Sequence, residues 1–169
     1  SRRLTNIFVH LFAFLGWINH EMFEASHARH HRYTLHPPDD LEVVLPVRFN
    51  LRTWVQIALV NVEGIYHTLK NTLRIARGRF AGEWELRCFP PDEPERRVAP
   101  VRWARVLLIG HGLILAGALA MGWWLVPLLF TFAVFYGGLV QFLMNAAQHI
   151  GLQDNVDDFR LCCRTILVN

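Results

Sequence analysis

The feature that most restricts this chain is a 41-residue run from Ala104 to Met144, ARVLLIGHGLILAGALAMGWWLVPLLFTFAVFYGGLVQFLM. It holds no Asp, Glu or Lys, and its one Arg, Arg105, sits at the very edge. A helix of a soluble protein keeps a polar face, and this run has none. A hydrocarbon core about 30 Å thick is crossed by roughly 20 helical residues, so the length suits two spans joined by a turn. Gly122, Trp123, Trp124 and Pro127 lie near its middle. Proline interrupts helices and tryptophan favours the water–lipid interface, which puts the turn there. The expected fold class is all-α: an integral membrane helical protein with a two-span hairpin over 104–144 and cytoplasmic or interfacial helices around it.

Composition supports that reading. Hydrophobic residues make up 53% of the 169, mean hydropathy is +0.22, and the length supports one domain. Arg outnumbers Lys sixteen to one, but basic residues alternate with acids and adjoin apolar spans. They form no continuous stripe, so a nucleic-acid partner is excluded. Residues 70–105 carry Lys70, Arg74, Arg77, Arg79, Arg87, Arg96, Arg97, Arg102 and Arg105 against five acids, which marks this segment as cytoplasmic. A hairpin that leaves the cytoplasm near residue 104 returns to it near 145. The chain on either side of the hairpin therefore shares one face of the membrane.

The flanks read less simply. Ile7–Ile18 is twelve residues, too short to span, and suits an interfacial or re-entrant helix. Residues 53–69, TWVQIALVNVEGIYHTL, mix apolar and polar positions as an amphipathic surface helix does. FPPDEPERRVAP reads as a proline-rich linker. Cys88, Cys162 and Cys163 are odd in number and lack a CxxC spacing, so neither a disulfide framework nor a zinc ribbon is indicated. The chain opens at SRRL and closes at ILVN with no initiator Met, signal peptide, cap or tail, and a fragment of a longer protein is expected.

Two stretches carry chemistry. Residues 26–38, SHARHHRYTLHPP, concentrate four histidines in a largely apolar chain. His27, His30 and His31 have the spacing HxxHH, and on a helix positions i, i+3 and i+4 share a face, so imidazoles can converge there. Imidazole suits iron, zinc and copper. A solvated polar loop is the plain alternative. His20–Glu21 does not begin an HExxH motif, because position 24 is Glu24. The second stretch is NAAQHIGL at 145–152, in which Asn145 and His149 stand one helical turn apart just beyond the hairpin. Alone, His149 reads equally well as a cation at a helix C-terminus. The hairpin topology returns it to the side of the HxxHH, which favours a shared site.

With SHARHHRYTLHPPDD, the hairpin and NAAQHIGLQDNVDDFRLCCRTILVN in view, the chain resembles the membrane fatty acid desaturases over essentially its whole length. That family carries an HxxxH-like box, an HxxHH box, an additional histidine in an NxxxH context, and a third HxxHH box. The resemblance implies that His27, His30, His31 and His149 bind iron and that Asn145 acts through a water. It further implies two non-haem iron ions, an acyl or membrane-lipid substrate, O2, and a separate electron donor of cytochrome b5 or ferredoxin type. No residues beyond the metal ligands are implied as catalytic. No HxxxH precedes His20 and no second HxxHH follows His149. Residues 1–169 are thus expected to be part of one desaturase domain, inactive alone, with its first and third boxes just outside. A related histidine-box hydroxylase acting on an alkane, sterol or carotenoid, and a non-catalytic zinc-binding membrane protein, are the competing readings.

The remaining polar residues take plainer expectations. His36 reads as a loop residue, His20 as helix-flanking, and His67 as interfacial. His10 and His111 read as neutral imidazoles bonded to neighbouring helices. Asp157, Asp158, Arg160 and Arg164 form a charge cluster that either supports ligands or is simply solvated.

Overall fold

The computed structural model describes residues 2–43, 45, 51, 55, 59–136 and 138–163. Every regular element among them is helical. In chain order these are α1 (Arg2–Leu15), α2 (His20–Tyr33), α3 (Val62–Ala76), α4 (Glu83–Cys88), a 3-10 turn (Pro94–Arg97), α5 (Val98–Met121), α6 (Leu125–Phe130), a second 3-10 turn (Ala133–Phe135), α7 (Leu139–His149) and α8 (Phe159–Cys162).

Among the described residues, one helix is long and apolar enough to cross a membrane. It runs from Pro94 through Met121, with mean hydropathy 1.8 over its most apolar stretch. Its α5 part, 24 residues, is about 36 Å long at 1.5 Å per residue, more than the thickness of a hydrocarbon core. The proline-rich linker is therefore shorter than the sequence suggests. Val98, Ala99 and Pro100 already belong to α5, where a first-turn proline lacks only an N–H that has no intrahelical partner. α5 ends at Gly122, in the left-handed conformation (φ 71°). Trp123 N–H then reaches back to the Ala118 carbonyl at 2.8 Å, and α6 turns back along α5.

The return arm differs from the single span expected. α6 stops after Phe130, the backbone passes through Thr131 and a 3-10 turn, and a further helix begins only at Leu139. Pro127 lies within the first turn of α6, and buried Thr131 supplies both its carbonyl and its hydroxyl to other elements. Those outside partners hold the chain where a continuous helix would have carried it past.

α3 lies along α5, the end of one against the start of the other. Ile75 and Ala76 pack on Ala104, with Met22, Phe80 and Leu108 around them, and Arg105 Nε donates to the Ala76 carbonyl at 2.9 Å. Asn61 caps α3 by accepting from Gly64 N–H at 2.8 Å. Of the amphipathic segment expected over 53–69, residues 53, 54 and 56–58 lie outside the described residues, and only residues 62–69 form the start of α3.

α1 begins earlier than Ile7 and ends at Leu15. At 14 residues it is about 21 Å long, short of a full crossing. It closes in a Schellman motif, with Ile18 N–H on the Ala13 carbonyl at 2.8 Å and Trp17 N–H on the Phe14 carbonyl at 3.1 Å. The left-handed position, normally glycine, is Trp17 (φ 56°). Its indole explains the choice. It stacks on His111 at 4.1 Å, and its Nε1 donates to the Thr131 carbonyl at 2.9 Å. Phe14 covers the other face of His111 at 4.3 Å. His111, 2% exposed, bonds the Phe14 carbonyl through Nε2 and Thr131 Oγ1 through Nδ1. One imidazole thus fastens α1, α5 and the loop after α6, as expected of a bonded histidine inside an apolar helix. Gly110 permits the approach, since a Cβ there would meet the Phe14 ring at 2.5 Å.

Candidate metal centre

α2 is set by its ends. Asn19 accepts from Met22 N–H at its start and donates through Nδ2 to the Pro100 carbonyl, which ties it to α5. Thr34 closes it by donating Oγ1–H to the His30 carbonyl. Between them, His27 and His31 stand one turn apart with their Nε2 atoms 3.0 Å apart. His30 is directed elsewhere, its ring centroid 5.8 Å from each of the other two. Adjacent residues on a helix differ by about 100°, so HxxHH makes one close pair and one displaced ring rather than a single point of convergence.

The displaced ring has its own partners. His30 Nδ1 donates to Asp40 Oδ2 at 2.7 Å. Asp40 is completely buried and also accepts from Leu35 N–H on Oδ2 (2.7 Å) and Glu42 N–H on Oδ1 (3.0 Å). Three donors balance a charge that would otherwise be costly to desolvate. His27 Nδ1 donates to Glu42 Oε1 at 2.8 Å, and Ser26 Oγ donates to the other Glu42 oxygen while accepting from Trp84 Nε1. A carboxylate only accepts, so each of these imidazoles carries its proton on Nδ1 and presents Nε2 as its lone-pair nitrogen, which at His27 accepts from His31 Nε2. This is the arrangement that orients metal-binding histidines. Neither Asp40 nor Glu42 figures among the site residues that the sequence suggests. Three acids in the loop after Pro37–Pro38, Asp39, Asp40 and Glu42, are the signal, and nothing in the spacing ties any of them to a particular histidine.

His149 ends α7 and arrives beside His30, with ring centroids 5.6 Å apart. Its Nδ1 is buried and without a hydrogen-bond partner among the described residues. Burial, reinforced by His30, pushes its pKa down, which disfavours the reading as a helix-terminal cation. Asn145, one turn earlier on α7, is exposed.

The other polar residues stand apart. His36 Nδ1 is held by the carbonyls of Thr34 and Tyr33 in its own loop. His67 lies near Glu63 on α3. His10 bonds Asn6 of its own helix, not a neighbouring one, and packs edge-on against His20 and Trp103. His20 is more than helix-flanking. It packs on both rings, and its Nε2 is buried without a partner among the described residues. Asp158 caps α8 and pairs with Arg160 at 3.0 Å on the surface. Arg164 lies outside the described residues. Cys162 is buried and Cys163 exposed, both unbridged.

Among the described residues no three His, Cys, Asp or Glu side chains are grouped tightly enough to hold a metal ion. The donors nevertheless fit one as a partial set. Two imidazole nitrogens bound at right angles, each about 2.1 Å from a metal, stand about 3 Å apart, which is the His27–His31 separation. His149 adds a neutral imidazole with an idle buried nitrogen, and imidazole suits iron. Beside the pair is a cavity of about 350 Å³ lined by His20, Glu24, His27 and His31 together with apolar Val9 and Phe23.

A protein-family model described as fatty acid desaturase matches residues 1–167 of the 169. No curated protein and no solved structure matches the chain.

Proposed function

Because the chain belongs to the fatty acid desaturase family, we propose that it is part of an O2-dependent, non-haem diiron enzyme that introduces a double bond into a long acyl chain. The observation that carries this reading is the approach of His149 to His30 across 119 positions of sequence, 149 minus 30. It unites the two histidine stretches from opposite sides of the apolar run.

In this reading His27, His30, His31 and His149 would hold the iron. Asn145, one turn before His149, contributes through a water. Four imidazoles would not complete the coordination of two irons, so this reading calls for further ligands. Bound iron supplies the activation of O2 that removal of hydrogen from an unactivated methylene requires and that no side chain provides. The chain's own residues do the positioning. Asp40 and Glu42 hold the Nδ1 protons of His30 and His27, which aims both Nε2 lone pairs. Val9 and Phe23 give the adjoining cavity an apolar wall suited to an acyl chain.

α5 and the return arm through α7 act as a hairpin, with the basic segment 70–105 and the metal site both on the cytoplasmic side. An electron donor of cytochrome b5 or ferredoxin type would approach from that side. The test is expression of the intact gene product in a host lacking its own enzyme, with mass spectrometry of the membrane acyl chains. New double bonds support desaturation. New hydroxyl groups in their place would move the assignment to the related hydroxylases, and an unchanged lipid profile at good expression would sink the reading.

A further inference from the structure

α2 has a second working face. On the side of the helix away from His27 and His31, Arg29 and Arg32 join Arg87 of α4 and Arg96 of the first 3-10 turn around a cavity of about 380 Å³. No carboxylate lines it among the described residues. Burial pushes the pKa of the Cys88 thiol in its wall up, against the pull of Arg29, Arg96 and Arg87. The fields of three guanidiniums reach this thiol, with the Glu42 carboxylate opposing them.

Their pairing is incomplete. Arg29 gives Nε to the Asp39 carbonyl and Nη2 to Asp39 Oδ1. Arg87 gives Nη1 to the same Oδ1 and Nη2 to Glu83. Arg96 gives Nη1 to Glu93. Arg32 pairs with no acid among the described residues. Four guanidiniums thus face three carboxylates, one of them shared, leaving one net positive charge by that pairing. Among the described residues the donor nitrogens left over are the whole Arg32 fork, Arg29 Nη1, Arg87 Nε, and Arg96 Nε and Nη2.

These donors come from separate elements and surround a volume. A carboxylate offers two oxygens in one plane, whereas a phosphoryl group offers three in a tetrahedral array that several guanidiniums can share. The space lies at the lower end of ordinary small-ligand sites, about 300–1,000 Å³, so it has room for a phosphoryl group and part of what it esterifies. Arg96 stands two residues before α5, near the depth where the head groups of a bilayer around that helix would lie.

We propose that this arginine-lined cavity binds a phosphate ester, with Arg32, Arg29 and Arg96 donating to its oxygens. Two sources share that chemistry, a soluble phosphomonoester and a phospholipid head group. The site stands independently of the metal reading.

The experiment is isothermal titration of the intact gene product in a maltoside detergent. One arm adds glycerol 3-phosphate, and the other adds mixed micelles of phosphatidic acid against micelles of uncharged diacylglycerol. Saturable binding in the first arm identifies a soluble ester, and binding in the second arm alone identifies a head group. A charge-assisted hydrogen bond is worth enough that Arg32→Gln should weaken binding about tenfold, and Arg32→Gln with Arg96→Gln further still. Arg32→Gln breaks no ion pair among the described residues, so its loss reads binding rather than folding, and equal melting temperatures check this. Arg160→Gln, on α8 and outside the cavity, should bind as the parent does. No saturable binding in either arm, or binding unchanged by Arg32→Gln and the double variant, would overturn the proposal.

Discussion

His30 Nδ1 and Asp40 Oδ2 are 2.7 Å apart, and Asp40, fully buried, keeps no contact with solvent. The histidine is held by the loop that follows its own helix. Asp40→Ala would leave His30 Nδ1 and the backbone N–H groups of Leu35 and Glu42 without their acceptor. Each buried donor so abandoned costs about 1–3 kcal/mol, so the variant should melt well below the parent. Asp40→Asn keeps the shape but loses the charge that fixes the His30 tautomer. Its product formation should fall by about 10–100-fold, the usual cost of losing the partner that orients a ligand. Lipid analysis at matched protein level, with iron content by plasma emission, measures both. Parent-like iron content and activity in Asp40→Asn would contradict the orienting role.

Replacing His27, His30, His31 or His149 with Ala should each abolish double-bond formation in the intact gene product, because a methyl group offers no lone pair. Asn145→Ala should cost less, about 10–100-fold, as a contact made through water does. His36→Ala and His67→Ala should retain most activity, since His36 is spent on its own loop and His67 lies on α3. The decisive comparison is His149→Ala, where full activity with expression unchanged would break the link between α7 and α2.

His111 is a fastening of the fold. His111→Ala removes a ring stacked on both faces and two hydrogen bonds, a loss on the scale of a core aromatic truncation, about 3–5 kcal/mol. His111→Phe keeps the stack and loses the bonds, so it should fall between Ala and the parent. Thermal unfolding in detergent ranks the three. Iron bound per folded molecule should be the same in all, and a selective loss of iron in His111→Phe would make this residue part of the metal site.

Topology offers a separate check. Reporters fused after Arg97 and after Gln153 should both report the cytoplasm, and one inserted at Trp124 the opposite side. Agreement between the first two is what the hairpin requires. Disagreement would part His149 from α2 and remove the site with it.

Close approach of α1 to α5 gives the last outcome. Gly110→Leu would drive a side chain into the Phe14 ring, where even a Cβ stands at 2.5 Å. Overpacking of this kind costs about 1–3 kcal/mol. Pairing it with Phe14→Ala should recover part of the loss in melting temperature, whereas purely additive losses would deny the contact.

From residue order alone came the all-helical character, the membrane-crossing length of α5, a turn near Gly122 to Pro127, and the two histidine stretches. These are local quantities: hydropathy over a window, the turn preference of one residue, and the periodicity of a helix. The same locality explains what could not be read. His30 separates from His27 and His31 because neighbouring helical positions diverge, and only its distant partners decide what it does. Asp40 and Glu42 become histidine partners because the loop after Pro37–Pro38 folds back along α2, and no spacing encodes that path. Trp17 occupies a position made for glycine because His111 and Thr131, far along the chain, repay its strain. The return arm breaks where the sequence reads as continuous, because the carbonyl and hydroxyl of Thr131 serve Trp17 and His111. Hydrophobicity determined that the chain would sit among apolar surroundings. Which buried polar groups meet there was decided by tertiary packing, since each must find a partner wherever the fold supplies one.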